Sequence, residues 1–271
     1  MPDNEAMRIA QIAELYDWKT HYGLNPALAS IDGYFFSHNG IVPEGKKYPA
    51  LSGMDELNGM LHAMEKDTVL YGMPFLGEVT ADMRGLDAGC GAGGGSIMIC
   101  ERYGPKMDGF TVSPEQAKYA QKDAMKRGFG DKLDYNRGDM RRLPVGDKTY
   151  DFIWAHESTE YVDLDKLFKE LARVGKDGAR LVIMACTAKE SDAKRIVDEA
   201  YLTDMHDVSD YIDMAGDYGW RPDVHVDLTP MTLPYWKLKA DFLGGVNKVV
   251  YEGLQDGTFG HHLFSYDLEK K

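Results

Sequence analysis

The sequence predicts an α/β protein: a doubly wound, mostly parallel sheet of seven strands, preceded by a helical lid and interrupted by inserted helices. Three observations predict it. From about residue 84 onward, short apolar runs alternate with longer amphipathic ones. A glycine-rich turn, Gly89-Cys90-Gly91-Ala92-Gly93, directly follows the first of those runs. Residues 1–83 carry helical periodicity without a strand-like run: within Asp55–Tyr71, Leu57, Met60, Leu61, Met64 and Leu70 recur at roughly helical spacing. Residues 1–83 are therefore read as a substrate-covering helical segment and 84–271 as the sheet domain.

Taken in order, the expected strands are Gly85–Ala88, Lys106–Thr111, Leu133–Arg137, Tyr150–Ala155 and Arg180–Cys186, with Val224–Asp227 and Phe259–Tyr266 as an antiparallel end. Between the second and third, Ser113-Pro114-Glu115-Gln116 places a capping serine, a proline at the first helical position and a glutamine three residues past the cap, so a helix starts there. Helical insertions are expected at about 189–218, as two helices, and at about 230–256, containing another.

Composition narrows the function classes. A chain of 271 residues is one large domain or one domain with an elaboration. The net charge of −13 disfavours a nucleic-acid partner. A hydrophobic content of 44% with 28% charged residues excludes wholesale disorder. Cys90, Cys100 and Cys186 show neither CxxC spacing nor an even set, which speaks against a zinc knuckle or disulfide framework and for a reducing cytoplasm. The polar, acidic start MPDNEAM and the lack of any run of 18 apolar residues predict neither export nor a membrane span. The oligomeric state, a homo-oligomer included, is left open.

In a strand–turn–helix unit, glycines let the backbone approach a ligand, and the strand's carboxyl end faces the binding crevice. Here Asp87, Gly89, Gly91 and Gly93 resemble the D-x-G-x-G-x-G motif of the Rossmann-like class I S-adenosylmethionine-dependent methyltransferases. A dehydrogenase would instead carry an acid for the ribose at the carboxyl end of the second strand, where this chain has Thr111. The second strand runs into Gly109-Phe110-Thr111-Val112-Ser113-Pro114-Glu115-Gln116, which resembles the G-x-T-L-S-x-x-Q of the branch containing cyclopropane synthases and the sterol and prenyl C-methyltransferases. The resemblance implies that Asp87 lies near the methionine end of the cofactor and that Thr111 and Gln116 hold its ribose hydroxyls. It further implies that Asp139 accepts from the adenine amino group while Met140 stacks on the ring.

At the end of the fourth strand stands Trp154-Ala155-His156-Glu157-Ser158-Thr159-Glu160-Tyr161-Val162-Asp163-Leu164. Together with Asp227-Leu228-Thr229-Pro230-Met231-Thr232-Leu233-Pro234-Tyr235-Trp236, it resembles the geranyl diphosphate 2-C-methyltransferases and related prenyl diphosphate C-methyltransferases, over a region from about Asn25 to the C-terminus. Family members commonly have two Asn before the Glu where this chain has Ala155-His156. The resemblance implies terpenoid biosynthesis, a small prenyl diphosphate substrate and Mg²⁺ bound through its diphosphate.

Adding an electrophilic methyl to an alkene gives a tertiary carbocation, which must be shielded from water, held by π faces and relieved of a proton by a placed base. Glu157 is the expected base, His156 a catalytic neighbour and Tyr201 the cation–π residue. Tyr34, Phe35, His38, Tyr161, Trp220 and Tyr235 are the expected substrate contacts, with Trp236 as lid packing and Lys46 and Lys47 as further donors for the diphosphate. There is no DDxxD box, His261-His262 reads as a chance pair on a strand, and no protein metal site is expected. Geranyl diphosphate is favoured. Isopentenyl and farnesyl diphosphate, or a sterol, lipid or amine acceptor, stand as alternatives, and a non-catalytic cofactor-binding module is a further one.

Overall fold

The computed structural model describes residues 4–22, 24–49, 51 and 53–270. Its frame is one sheet of seven strands: β1 (Arg84–Ala88), β2 (Lys106–Thr111), β3 (Leu133–Arg137), β4 (Tyr150–His156), β5 (Gly175–Ala188), β6 (Trp220–Asp227) and β7 (Phe259–Leu268). They lie in the order β3-β2-β1-β4-β5-β7-β6. The first five pair in parallel, and β7 inserts antiparallel between β5 and β6. The fifth strand is longer than Arg180–Cys186, because its antiparallel pairing runs from Arg180↔Asp267 to Ala188↔Phe259. Strand order reverses around β1, whose neighbours are β2 and β4, so a crevice forms beyond the carboxyl ends of β1 and β4.

Helices cover both faces. On one, α6 (Leu164–Val174) buries Leu164, Leu167, Phe168, Leu171 and Val174, an i, i+3, i+4 stripe, beneath α8 (Val208–Asp217). On the other lie α4 (Gly94–Tyr103) and α5 (Pro114–Lys126). Helix α5 starts where expected: the Gln116 N–H donates to the Ser113 hydroxyl at 3.0 Å, with Pro114 in the first turn.

The N-terminal part consists of α1 (Asn4–Tyr22), α2 (Leu24–Asp32) and α3 (Met54–Gly72), with no strand among its described residues. Its Phe36, Val69, Met73 and Leu76 are buried in the same cluster as Met107, Phe152, Val182 and Met184 of the sheet. A third cluster joins α3, α7 (Asp192–Tyr201), α9 (Thr229–Leu243) and α10 (Val246–Asp256) beyond the strand ends. The insertion at 230–256 is thus two helices; Gly244 and Gly245, at φ +63° and +58°, break them apart. Among the described residues no helix is long and apolar enough to cross a membrane.

Trp220, expected to touch substrate, belongs to the core instead. It opens β6, is fully buried against Phe168, Tyr211 and Tyr266, and donates its indole N–H to the Phe168 carbonyl at 3.3 Å. Placing it near substrate rested on aromatic type alone, whereas the first residue of an edge strand points where the sheet's pleat directs it. Trp220→Ala should lower the unfolding free energy by about 3–5 kcal/mol, the range for emptying a large core side chain, read from denaturant titration.

Candidate active site

Two cavities meet at the carboxyl ends of β1 and β4. The first is lined by Asp87, Gly89, Gly91, Thr111, Gln116, Asp139, Met140 and His156, so seven of the eight residues expected to bind cofactor converge on it. Gly89 and Gly91 sit at φ +81° and +52°, and a Cβ on Gly89 would come within 2.2 Å of the Ser158 side chain, so the turn tolerates only glycine there. Gly93 is the exception: it does not line the cavity. It caps α4 at φ +85° and packs against Tyr135 and Ala120, a requirement of strand–helix packing. Thr111 donates to Gln116 Oε1 at 2.8 Å, which orients both side chains towards the cleft. Asp139 is gripped by Arg141 (Nη2 to Oδ2 2.7 Å); burial raises its pKa, but these bonds outweigh that and hold it below the ordinary carboxylate range. Ile9, Ile12 and Tyr16 of α1 close the cleft from above, and Phe35 adds a wall.

Asp87 is buried, and burial pushes its pKa up to about 7 against the opposing bonds from Ser96. A buried carboxyl with no cationic neighbour among the described residues is a seat for a positive group, which suits the ammonium of a bound amino acid. The residues present thus fit S-adenosylmethionine.

The second cavity has a volume of ≈ 340 Å³, within the range of small-molecule sites. Tyr201, Tyr161, Tyr235, Trp236 and His38 line it, and Glu157, His38 and Tyr161 form the wall shared with the first. Glu157 follows β4 in the left-handed region, φ +46°, a strained conformation for a non-glycine residue and characteristic of functional sites. The Asn39 N–H donates to both of its oxygens at 2.9 Å, and His261 Nε2 lies 3.2 Å from Oε1. Burial pushes His38 down to about 4 and His156 well below its ordinary range, so both imidazoles are neutral.

Phe35, an expected substrate contact, lines the first cavity and not the second, and besides Trp220 three further expected contacts line neither. Tyr34 lines neither cavity: its hydroxyl donates to Glu101, its ring stacks on Phe36, and Lys66 and Arg127 sit over it at 4.5 Å. Lys46 is taken up by Asp67, 2.5 Å to Oδ2, and Lys47 is exposed to solvent.

The sequence reading missed the charged lining of the second cavity: Lys19, Glu65, Glu160 and Lys239, together with Tyr16, Asn39 and His261. Periodicity carried the signal. Thr232, Tyr235, Trp236 and Lys239 fall at i, i+3, i+4 and i+7 of α9, and Ile9, Ile12, Tyr16 and Lys19 share a face of α1. His261 and His262, adjacent on β7, point to opposite sides; His261 is fully buried. Burial pushes Lys19 down to about 8 and lowers Lys239, despite Glu65 and Glu157 near the latter. Burial also pushes Glu65 and Glu160 up to about 8, and each keeps one carboxylate oxygen without a hydrogen-bond partner among the described residues. Two lysines and two carboxyls with an unsatisfied oxygen, all lining one cavity, match a magnesium-complexed diphosphate, whose oxygens suit the lysines and whose cation suits Glu65 and Glu160.

This fold and cleft define a class I S-adenosylmethionine-dependent methyltransferase, and residues 86–183 match the family described as methyltransferase domain. The geranyl diphosphate 2-C-methyltransferase of Saccharopolyspora erythraea is 32% identical to the chain over 269 residues, 94% of this chain and 93% of its own length. A solved geranyl diphosphate methyltransferase in complex with geranyl diphosphate and sinefungin superposes with a TM-score of 0.91 at 28% identity, covering 96% of this chain and 99% of that one. The enzyme from Streptomyces coelicolor, solved with Mg²⁺, a thiolodiphosphate analogue and S-adenosylhomocysteine, gives a TM-score of 0.90 at 28% identity over 96% and 98% of the two chains. The chain belongs to the geranyl diphosphate 2-C-methyltransferase family.

Asp87, Glu65 and Glu160 all have raised pKa values, so the folded protein holds protons that the unfolded chain has released. Their contribution to stability is complete below pH 4 and is lost as pH rises through about 7 to 8. In thermal melts of the ligand-free protein, the change in stability between pH 5 and pH 8 should be less unfavourable in Asp87→Asn than in the parent protein, and the two should run parallel above pH 8.

Proposed function

We propose that this protein transfers the methyl group of S-adenosylmethionine to an alkene carbon of geranyl diphosphate and removes a proton from the resulting tertiary carbocation. The observation that carries this reading is Glu157, a strained carboxylate pinned by the Asn39 N–H in the wall between a glycine-turned cleft and a cavity lined by aromatic side chains together with Lys19 and Lys239. S-adenosylmethionine supplies the electrophilic methyl, and Mg²⁺, held by the diphosphate, neutralises its charge.

The remaining work falls to side chains. Asp87 seats the ammonium end of the cofactor, Thr111 and Gln116 its ribose, and Asp139 with Met140 its adenine. Lys19 and Lys239 meet the diphosphate, while Glu65 and Glu160 face its cation. Tyr201, whose ring already lies 5.7 Å from Lys19 Nζ, presents a π face to the carbocation. Tyr161, hydroxyl to hydroxyl with Tyr16 at 2.7 Å, joins the sheet to α1 and closes the site against water. Residues 1–83 act as the cover in this reading, because Ile9, Ile12, Tyr16 and Phe35 all face the cleft. Glu157 takes the proton. His156 stands beside it, Nε2 4.0 Å from Oε1, as a neutral wall between cofactor and substrate.

The direct test offers purified protein S-adenosylmethionine, Mg²⁺ and isopentenyl, dimethylallyl, geranyl and farnesyl diphosphates side by side. A gain of about 14 Da, one methyl replacing one hydrogen, on geranyl diphosphate supports the reading; a gain on another chain length alone moves the substrate, and no gain on any overturns it. Glu157→Gln should keep cofactor binding and lose about 10²–10⁴-fold in turnover, the usual contribution of a placed base. Tyr201→Ala should cost about tenfold in kcat and Tyr201→Phe about twofold at most, because a π face is all the cation requires. Lys239→Met should raise KM for the diphosphate roughly tenfold, the loss of one charge-assisted bond.

A further inference from the structure

We propose that His38, His156 and Glu157, with His261 as a further donor, form a binding site for one divalent transition-metal ion in the wall between the two cavities. A ligand atom from each of the first three lies within 4.8 Å of the others. His261 Nε2 is 3.2 Å from Glu157 Oε1, and the His38 and His156 rings stack at 3.7 Å. The donors come from the segment before α3, from β4 and the turn after it, and from β7, so nothing in helical or strand periodicity brings them together.

The nitrogens supply the second observation. His38 Nε2, both nitrogens of His156 and both of His261 are buried without a hydrogen-bond partner among the described residues. The His156 and His261 side chains are only 5% and 1% exposed. Unsatisfied buried polar atoms are costly, and a cluster of five around one carboxylate is not the pattern of structural histidines. Buried His62, by contrast, leaves only Nδ1 without a partner and is anchored through Nε2 to Asp32 at 2.6 Å, and half-buried His206 is anchored through Nε2 to the Val162 carbonyl at 2.9 Å.

The surrounding bonds already orient the donors. His38 Nδ1 donates to the Asn39 carbonyl at 3.0 Å, which puts the proton on Nδ1 and leaves the Nε2 lone pair as ligand. The same residue's N–H holds the Glu157 carboxylate. Two or three imidazoles and one carboxylate suit Zn²⁺, Co²⁺ or Fe²⁺, whereas Mg²⁺ prefers an all-oxygen shell. The site is therefore distinct in chemistry from the magnesium that travels with a diphosphate. One consequence rests on the function proposed above: an ion on Glu157 occupies the lone pair that would receive the substrate's proton, so the loaded protein does not turn over.

The test titrates substrate-free, chelator-treated protein with Co²⁺ and follows the visible ligand-field absorption. The expected result is saturation at one Co²⁺ per chain, displaced by Zn²⁺ and unaffected by millimolar Mg²⁺. His156→Asn and Glu157→Gln should abolish the band and His261→Asn weaken binding, with circular dichroism melts confirming that each variant is folded. Because His225 and His262 form an exposed pair 3.1 Å apart, His262→Asn serves as the control. A band lost in His262→Asn and kept in His156→Asn puts the metal on the surface and overturns the site, as does the absence of a saturable band. One equivalent of Co²⁺ should lower product formation at least tenfold in the presence of excess Mg²⁺, reversed by chelation; undiminished product overturns the competition. The optical titration needs no prenyl diphosphate, so failure of the metal site and failure of the substrate assignment are read separately.

Discussion

The contact on which the site depends is the pair of hydrogen bonds from the Asn39 backbone N–H to the Glu157 carboxylate. It ties the N-terminal segment to the end of β4, and both partners are held from behind. Thr68 donates to the Asn39 carbonyl from α3 at 2.9 Å, and the Glu157 N–H donates to the Met184 carbonyl of β5 at 2.7 Å. A charge-assisted bond of this kind is worth more than a neutral one, and here it also fixes a strained backbone. The same contact forms the partition between the two cavities, so the position of the candidate base and the separation of the two ligand pockets have one cause.

The frame was legible because its elements are locally encoded. The serine–proline start of α5, the glycine turn after β1 and the alternation of apolar runs each depend on neighbours in sequence, and five parallel strands with an antiparallel end appear as read. The convergence of residues on the first cavity was legible for the same reason: Asp87, Gly89, Gly91, Thr111, Gln116, Asp139 and Met140 all lie within a few residues of a strand's carboxyl end, where the topology of the sheet brings them together.

The second cavity was only partly legible. Tyr201, Tyr161, Tyr235 and His38 line it, but Trp220, Tyr34 and Phe35 do not, because an aromatic residue type says nothing of which face it occupies. Lys239, Lys19 and His261 carried a positional signal, a polar group on an otherwise apolar stripe or on the inward side of a strand. Their convergence, however, is tertiary. They arrive from α1 near the start of the chain and from α9 and β7 near its other end, and no spacing in the sequence records that meeting. His261 and His262 show this plainly: identical neighbours, one fully buried beside Glu157 and the other aligned with exposed His225.

The ionisable groups of the two cavities are arranged at the expense of the empty protein. Asp87, Glu65 and Glu160 are buried carboxyls with raised pKa values, and Lys19 and Lys239 are cations whose pKa values burial lowers. A core built for stability alone would replace such groups with apolar side chains of similar volume, often at no cost. Their signs instead sort by place. Asp87 lies in the cleft that suits a cationic cofactor, where Asp139 is already paired with Arg141, and the lysines lie in the cavity that suits an anionic substrate, with Glu65 and Glu160 also lining it. Each ligand is then the counter-charge that its pocket lacks, so binding relieves an electrostatic cost already built into the fold. That division of charge across the Glu157 partition separates this site from a generic cofactor cleft, and it follows from the residues themselves without appeal to any relative.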